Sequence, residues 1–145
     1  MKNKKSKTDK KGGKKLIELA GVAMEHEFYL EASWILSSLF EQKLKKLLGK
    51  LENRVPGTGV TLEQTIKRVK FLHISAKYPS LTGHFSLRLI DDIRTWKNQR
   101  NEILKDMPDV HVSQARMERL ATDGMKLSRD LAKAVKAFKS AEADS

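Results

Sequence analysis

The stretch Trp96-Lys97-Asn98-Gln99-Arg100-Asn101-Glu102-Ile103-Leu104-Lys105-Asp106 decides how this chain reads. Counted in steps of three and four, Leu89, Ile93, Trp96, Ile103 and Met107 fall on one stripe of a helix. Arg100 falls in the middle of that stripe. A guanidinium there is costly unless a carboxylate pairs with it or an anion meets it. Both solutions are open. An acid on a neighbouring helix, such as Glu31 or Glu41, could pair with it. Alternatively, its planar donor fork suits a phosphate. Lys97, Arg100 and Asn101 cluster toward one side of the helix, with Arg94 and Lys105 about a turn away.

Outward from this stretch the chain continues to read as helix. The Arg100 helix spans about Ser86 to Asp106 and is ended by Met107-Pro108-Asp109. A last long helix begins near Ser113, with the stripe Met117, Leu120, Gly124, Leu127, Leu131, Val135 and Phe138. Upstream, Leu16, Leu19, Ala20 and Ala23 mark a helix over about Lys14–Glu27. Ala32, Ile35, Leu36, Leu39, Phe40, Leu44, Leu47, Leu48 and Leu51 mark another over about Leu30–Glu52. No Gly or Pro marks the break between them near Phe28-Tyr29. Asn53 to Val60 is a loop, and Thr61-Leu62-Glu63-Gln64 reads as a capping box. Leu62, Ile66, Val69, Leu72 and Ala76 follow on one face until Tyr78-Pro79 stops the helix, with Thr82-Gly83 in the next loop. No segment alternates apolar and polar residues over strand length, and no long repeat is present. The pattern predicts an all-α, four- to five-helix up-and-down bundle.

The chain has 145 residues, enough for one domain with a real core. It lacks cysteine, which excludes disulfides, thiolate metal sites and cysteine catalysis and fits a reducing compartment. No apolar run approaches the ~18 residues of a membrane span, and no signal-peptide core follows the basic start. The expected setting is soluble and cytoplasmic, with no membrane partner. A net charge of +11 suggests a polyanionic partner. Residues 1–15 carry eight lysines and one aspartate, so +7 of that charge lies there and the rest of the chain holds +4. Residues 1–13 lack a large apolar residue beyond Met1 and read as a disordered basic tail ahead of one domain over 14–145. Such a tail is either a solvated terminus or a non-specific hold on phosphates.

The chemistry-bearing patterns are few. There is no glycine-rich phosphate loop, no histidine pair at metal spacing and no serine elbow, so no metal or organic cofactor is implied. The four histidines, at 26, 73, 84 and 111, are scattered. On the last helix, Lys126, Arg129, Lys133 and Lys136 form a basic stripe opposite the apolar one. A solvated face is its default meaning. Beside Arg100, Lys97 and a basic tail it also fits a nucleic-acid track. There is little aromatic interleaving for base stacking, and Trp34 and Trp96 are expected in the core or a dimer contact.

An Arg-Asn pair after a Trp, on a helix in the C-terminal part of an all-helical domain of this size, resembles the HEPN domain family. Glu31-Ala32-Ser33-Trp34-Ile35-Leu36-Ser37-Ser38-Leu39-Phe40-Glu41-Gln42-Lys43-Leu44 is similar to the family's earlier helix, in which an Ala leads to an acidic residue and then a Leu. The long terminal helix also fits, and the likeness covers roughly residues 16–140. Its motifs are short and degenerate. HEPN domains carry an Arg, roughly four to six intervening residues and a His. Many are metal-independent ribonucleases of toxin–antitoxin, abortive-infection and CRISPR-linked systems. They act as dimers with two such motifs face to face. The 2′-hydroxyl attacks the adjacent phosphate, the Arg stabilises the developing charge and the His assists proton transfer.

The resemblance therefore implies an RNA-directed homodimer with Arg100, Asn101 and Lys105 as its catalytic or phosphate-contacting set. Candidate partners are RNA, an antitoxin or another protein. The chain departs from the family at Lys105, which stands where His is usual, and neither Leu104, Asp106 nor Met107 supplies one. A lysine keeps its proton at neutral pH and is a poor general base there. Arg68 and His73 satisfy the family spacing, but on another helix and without the polar residue after the Arg. That match reads as chance. Enzymatic competence stays open on these grounds. The alternative is a non-catalytic helical interaction bundle with Arg100 in a salt bridge.

Overall fold

A computed structural model describes the backbone of residues 4–54, 57, 59–109 and 111–144, and the side chains from Lys15 to Ala143 within them. Six helices make up the described chain: α1 (Lys4–Glu25), α2 (Tyr29–Glu52), α3 (Leu62–Ser75), α4 (Pro79–His84), α5 (Leu87–Asp106) and α6 (Gln114–Asp144). The all-α bundle matches the sequence pattern, with six helices where four or five were expected. Helical backbone at the start begins at Lys4, well before the first apolar position that marks it in sequence. Side chains of the expected basic tail, and the backbone of residues 1–3, lie outside the described residues.

The helix boundaries follow from local chemistry. Thr61 Oγ1 accepts from the Gln64 backbone N–H at 3.2 Å, and Gln64 Oε1 accepts from the Thr61 N–H at 2.9 Å. This is the predicted capping box. Ser86 caps α5 by accepting from the Leu89 N–H at 3.0 Å, and Ser113 does the same for Arg116 at 3.1 Å. α1 stops without Gly or Pro because Glu27 takes φ 61°, which lets the Phe28 N–H reach the Ala23 carbonyl at 2.8 Å. Asn53 and Ala76, both at φ 54°, end α2 and α3 in the same left-handed way. The loop expected after Tyr78-Pro79 is instead the short helix α4, with Thr82 and Gly83 inside it. Pro79 at its first turn is preorganised for helix, and Leu81 anchors it in the core.

The core runs through all six elements. Leu36, Phe40, Ile66, Leu81, Phe85, Ile90, Ile93, Trp96, Leu131 and Phe138 are fully enclosed or nearly so. Trp96 is its centre. Its ring stands edge-on to Phe40 at 5.1 Å, and its Nε1 donates to the Leu120 carbonyl at 2.8 Å. Gly124 lets this happen, since a Cβ there would lie 2.9 Å from both the Trp96 ring and Leu36 Cδ1. Trp34 does not join the core: it is 67% exposed on α2. Met107 likewise leaves the expected stripe, at 42% exposed, and Ile90 takes the enclosed place beside Leu89.

Contacts along the helices set their directions. Lys70–Asp91 at 2.9 Å and Arg94–Glu63 at 3.0 Å hold α3 antiparallel to α5. Trp96–Leu120 and Arg116–Asp106, at 3.5 Å, hold α6 antiparallel to α5. Tyr29, Ala32 and Ala121 share one cluster, and Leu36 meets Gly124, so α2 and α6 run in the same direction.

Candidate nucleic-acid interface

Arg100 lies one turn beyond Trp96 on α5 and one turn before Ile103, both buried. Its helical position aims it at the bundle, so the side chain is half-buried. Among the described residues it makes no ion pair and no hydrogen bond. Its Nε is enclosed and unpartnered, while its terminal nitrogens reach solvent. Burial alone pushes the guanidinium below arginine's ordinary value, with no carboxylate pulling it back. The acids considered as partners are elsewhere. Glu41 pairs with Lys45 at 3.2 Å, and Glu31 is exposed. Arg100 is thus a charged fork with its stem buried and its tip open, which is the geometry of an anion contact.

The neighbouring cations differ. Glu63, on the first turn of α3, collects Lys97, Arg94 at 3.0 Å and Lys67 at 4.0 Å. The Lys97 hydrogen bond, against the cost of desolvation, holds the Glu63 carboxyl below the usual carboxylate range. Lys97 is only 11% exposed in this cluster, so its charge is spent inside the protein. Arg94 leaves its Nε enclosed and unpartnered, as Arg100 does, but has Glu63 at its tip.

Asn101 and Lys105 are both exposed. On a helix they share a face, four residues apart, whereas Arg100 points roughly 100° away from Asn101 and roughly 140° away from Lys105. Within one chain the three therefore do not converge on a single point. Along the side that Arg100 does occupy, Leu104 and Met107 follow at one and two turns, 39% and 42% exposed.

Lys126, Arg129, Lys133 and Lys136 are exposed on α6, and among the described residues none has an ion pair. Asp123 and Asp130 border them. The antiparallel register puts Arg100 level with residues 116–120 of α6. The stripe begins about 12 Å farther along and runs away from it. Arg100 and the basic stripe are separate features. Lys43 of α2, which the sequence reading did not single out, is half-buried, and burial with the charges of Lys139 and Lys46 pushes it below its ordinary value. The signal for it lay in the parallel register of α2 and α6, which no single helix reveals.

The histidines have local roles or none. His73 Nε2 donates to the Phe85 carbonyl at 2.6 Å and ties α3 to the start of α5, while His26 stacks on Phe28. Among the described residues no helix is long and apolar enough to cross a membrane. No known protein family, curated protein or solved structure matches the chain.

Proposed function

We propose that this chain is a HEPN-like RNA-binding bundle that receives a phosphate at Arg100. The observation that carries the reading is the half-buried guanidinium with an enclosed, unpartnered Nε and no carboxylate partner among the described residues. A structural arginine on a core-facing stripe would be paired. An arginine awaiting an anion need not be. Asn101 and Lys105, exposed on a different face of α5, can contact only other parts of the same strand.

Binding rather than cleavage is the activity this arrangement favours. The residue at the family's His position is an exposed ammonium, and Arg100 and Lys105 diverge around the helix. The proposed assembly is a two-fold dimer along α5. Leu104 and Met107 form an exposed apolar seam beside Arg100 that a second copy can cover, and two-fold dimers are the commonest assemblies. The proposed setting is a toxin–antitoxin or phage-defence system, with an antitoxin as the protein partner.

The test is a full-chain comparison of wild type and Arg100→Ala by thermal melting and by RNA titration at several salt concentrations. The expected result is weaker RNA binding at nearly unchanged stability. A large stability loss with RNA affinity unaltered would overturn the reading. Lys105→His is the follow-up, since it restores the usual family motif. RNA cleavage gained by that variant identifies a ribonuclease architecture with its proton-transfer group missing.

A further inference from the structure

Of the two tryptophans, Trp96 is sealed in the core and Trp34 stands 67% exposed on the outer side of α2. A large ring left in water to this extent is unusual, since tryptophan is highly buried on average. Its companions one turn away on α2 are mostly polar. Glu31 and Ser38 are exposed and Ser37 is half-buried, with Leu30 the one apolar neighbour. Glu41, farther along the same side, is taken up by Lys45 at 3.2 Å. An anchor for a protein partner ordinarily sits among further apolar side chains. A single flat ring in polar surroundings suits a flat ligand with polar edges.

The packing brings Trp34 beside the Arg100 site. α5 is antiparallel to α6, and α6 is parallel to α2, so α5 is antiparallel to α2. Trp96 meets Phe40. Arg100 lies one turn past Trp96, which carries it one turn back along α2, to about the level of Leu36. Trp34 stands two residues, about 3 Å, from that level. The side agrees as well. Trp34 and Glu52 are about five whole turns apart and project from the same line of α2. Glu52 is where Arg68 of α3 grips α2, and α3 joins α5 through Glu63 with Arg94 and Lys97. Trp34 therefore faces the side on which α3 bridges α2 and α5. Among the described helices, α3 and α6 are those that pack on both α2 and α5. α3 starts at Leu62, and its first turn reaches no farther along α5 than Lys97. Past that point α2 and α5 flank a cleft, with Trp34 on one lip and the half-buried Arg100 on the other.

We propose that Trp34 is the stacking platform for an unpaired base of the RNA strand, next to the phosphate held at Arg100. The proposal rests on the Arg100 reading for that phosphate. The division of charge fits it. Glu31 and Glu41 stand on the Trp34 side, where a neutral base lies, and the guanidinium that meets the phosphate stands across the cleft. Every base has a π face, so the platform selects unpaired strand and not sequence.

The experiment titrates the full chain with oligouridylate and with an abasic ribose-phosphate oligomer of the same length, over a series of salt concentrations. The variants are Trp34→Leu, Trp34→Phe and Arg100→Ala. Trp34 is exposed, so its variants should melt with wild type. Trp34→Leu should weaken oligouridylate binding by roughly tenfold. The slope of log affinity against log salt should stay unchanged in it, because lost stacking releases no counterions. Trp34→Phe should keep most of the affinity. Wild type and Trp34→Leu should bind the abasic oligomer alike. Oligouridylate should quench wild-type tryptophan emission and spare that of Trp34→Phe, since Trp96 is enclosed. Equal oligouridylate affinity in wild type and Trp34→Leu overturns the proposal. An equal loss on both oligomers does so too, as does a dimer that Trp34→Leu turns into a monomer, which makes Trp34 a contact between copies. If Arg100→Ala weakens binding and flattens the slope by ~0.7 while Trp34→Leu changes nothing, the platform fails and the Arg100 reading stands. If Trp34→Leu weakens binding while Arg100→Ala changes nothing, the Arg100 reading fails and the pairing of the two residues fails with it.

Discussion

At the residue scale, Arg100 and Gly124 show opposite kinds of fit. Arg100 has an enclosed nitrogen with no partner among the described residues, an arrangement that costs stability in the free protein. Arg100→Met, similar in length and without polar atoms, should therefore keep or raise stability, by up to about 1–3 kcal/mol, the desolvation cost of such a group. Urea unfolding checks this. A loss of several kcal/mol would mean that a carboxylate had been stranded, contrary to the contacts around Arg100. Gly124 is the reverse case, a position with no room to spare. Gly124→Ala puts a methyl 2.9 Å from the Trp96 ring and Leu36, and should destabilise by about 1–3 kcal/mol. A Tm at or above wild type for that variant would contradict the packing of α6 on Trp96. Gly124 was legible in sequence as a member of the apolar stripe. Its role was not, because that role depends on which ring crosses it from α5.

At the scale of the elements, caps and ion clusters decide where helices begin and what holds them together. Ala76 ends α3 at φ 54°, a conformation that costs an L-residue roughly 1–2 kcal/mol and glycine little. Ala76→Gly should stabilise the chain by up to about 1 kcal/mol, read as a higher urea midpoint, because the α3 end loses that strain. Glu63 and Glu52 tie α3 to α5 and α2, Glu52 through a fork from Arg68 at 3.0 and 3.1 Å. Both carboxyls are held below the usual range, chiefly by the Lys97 and Arg68 hydrogen bonds. A depressed folded-state value means that the native protein keeps these groups charged where the unfolded chain would protonate them. Their contribution is therefore complete above about pH 5 and is lost as pH falls through their folded-state values. Glu63→Gln should flatten the acid side of a stability–pH curve, and an unchanged acid limb in that variant would count against the cluster. The capping box at Thr61 was readable because it rests on a short local pattern, and the helix starts near Ser86 and Ser113 were placed by the apolar periodicity, without their caps. The end of α1 was not, since Glu27 carries no sign that it adopts a left-handed conformation. α4 was hidden for a similar reason, as Pro79 reads equally as a stop and as a first helical turn.

At the scale of the molecule, the helical periodicity was enough to read an all-α bundle, because each amphipathic stripe needs a partner and helices supply all of them. What sequence could not place was the relation between stripes. Lys97 and Arg100 are three residues apart, yet one is consumed by Glu63 and the other meets no acid among the described residues. The α6 lysines and Arg100 looked like one basic surface, yet the antiparallel packing of α5 on α6 sends them toward opposite ends. The exposed pair Leu104 and Met107 beside Arg100 predicts a dimer at micromolar concentration, measurable by sedimentation. A Leu104→Lys variant should be monomeric with its fold intact, and a wild-type chain that sediments as a monomer would remove the α5 assembly. The most direct test of the central claim is the RNA affinity of Arg100→Met measured on the folded full chain. A phosphate held by this guanidinium predicts a loss of about tenfold or more, the value of one charged hydrogen-bond contact, at wild-type stability or above. RNA affinity equal to wild type in that variant would contradict it.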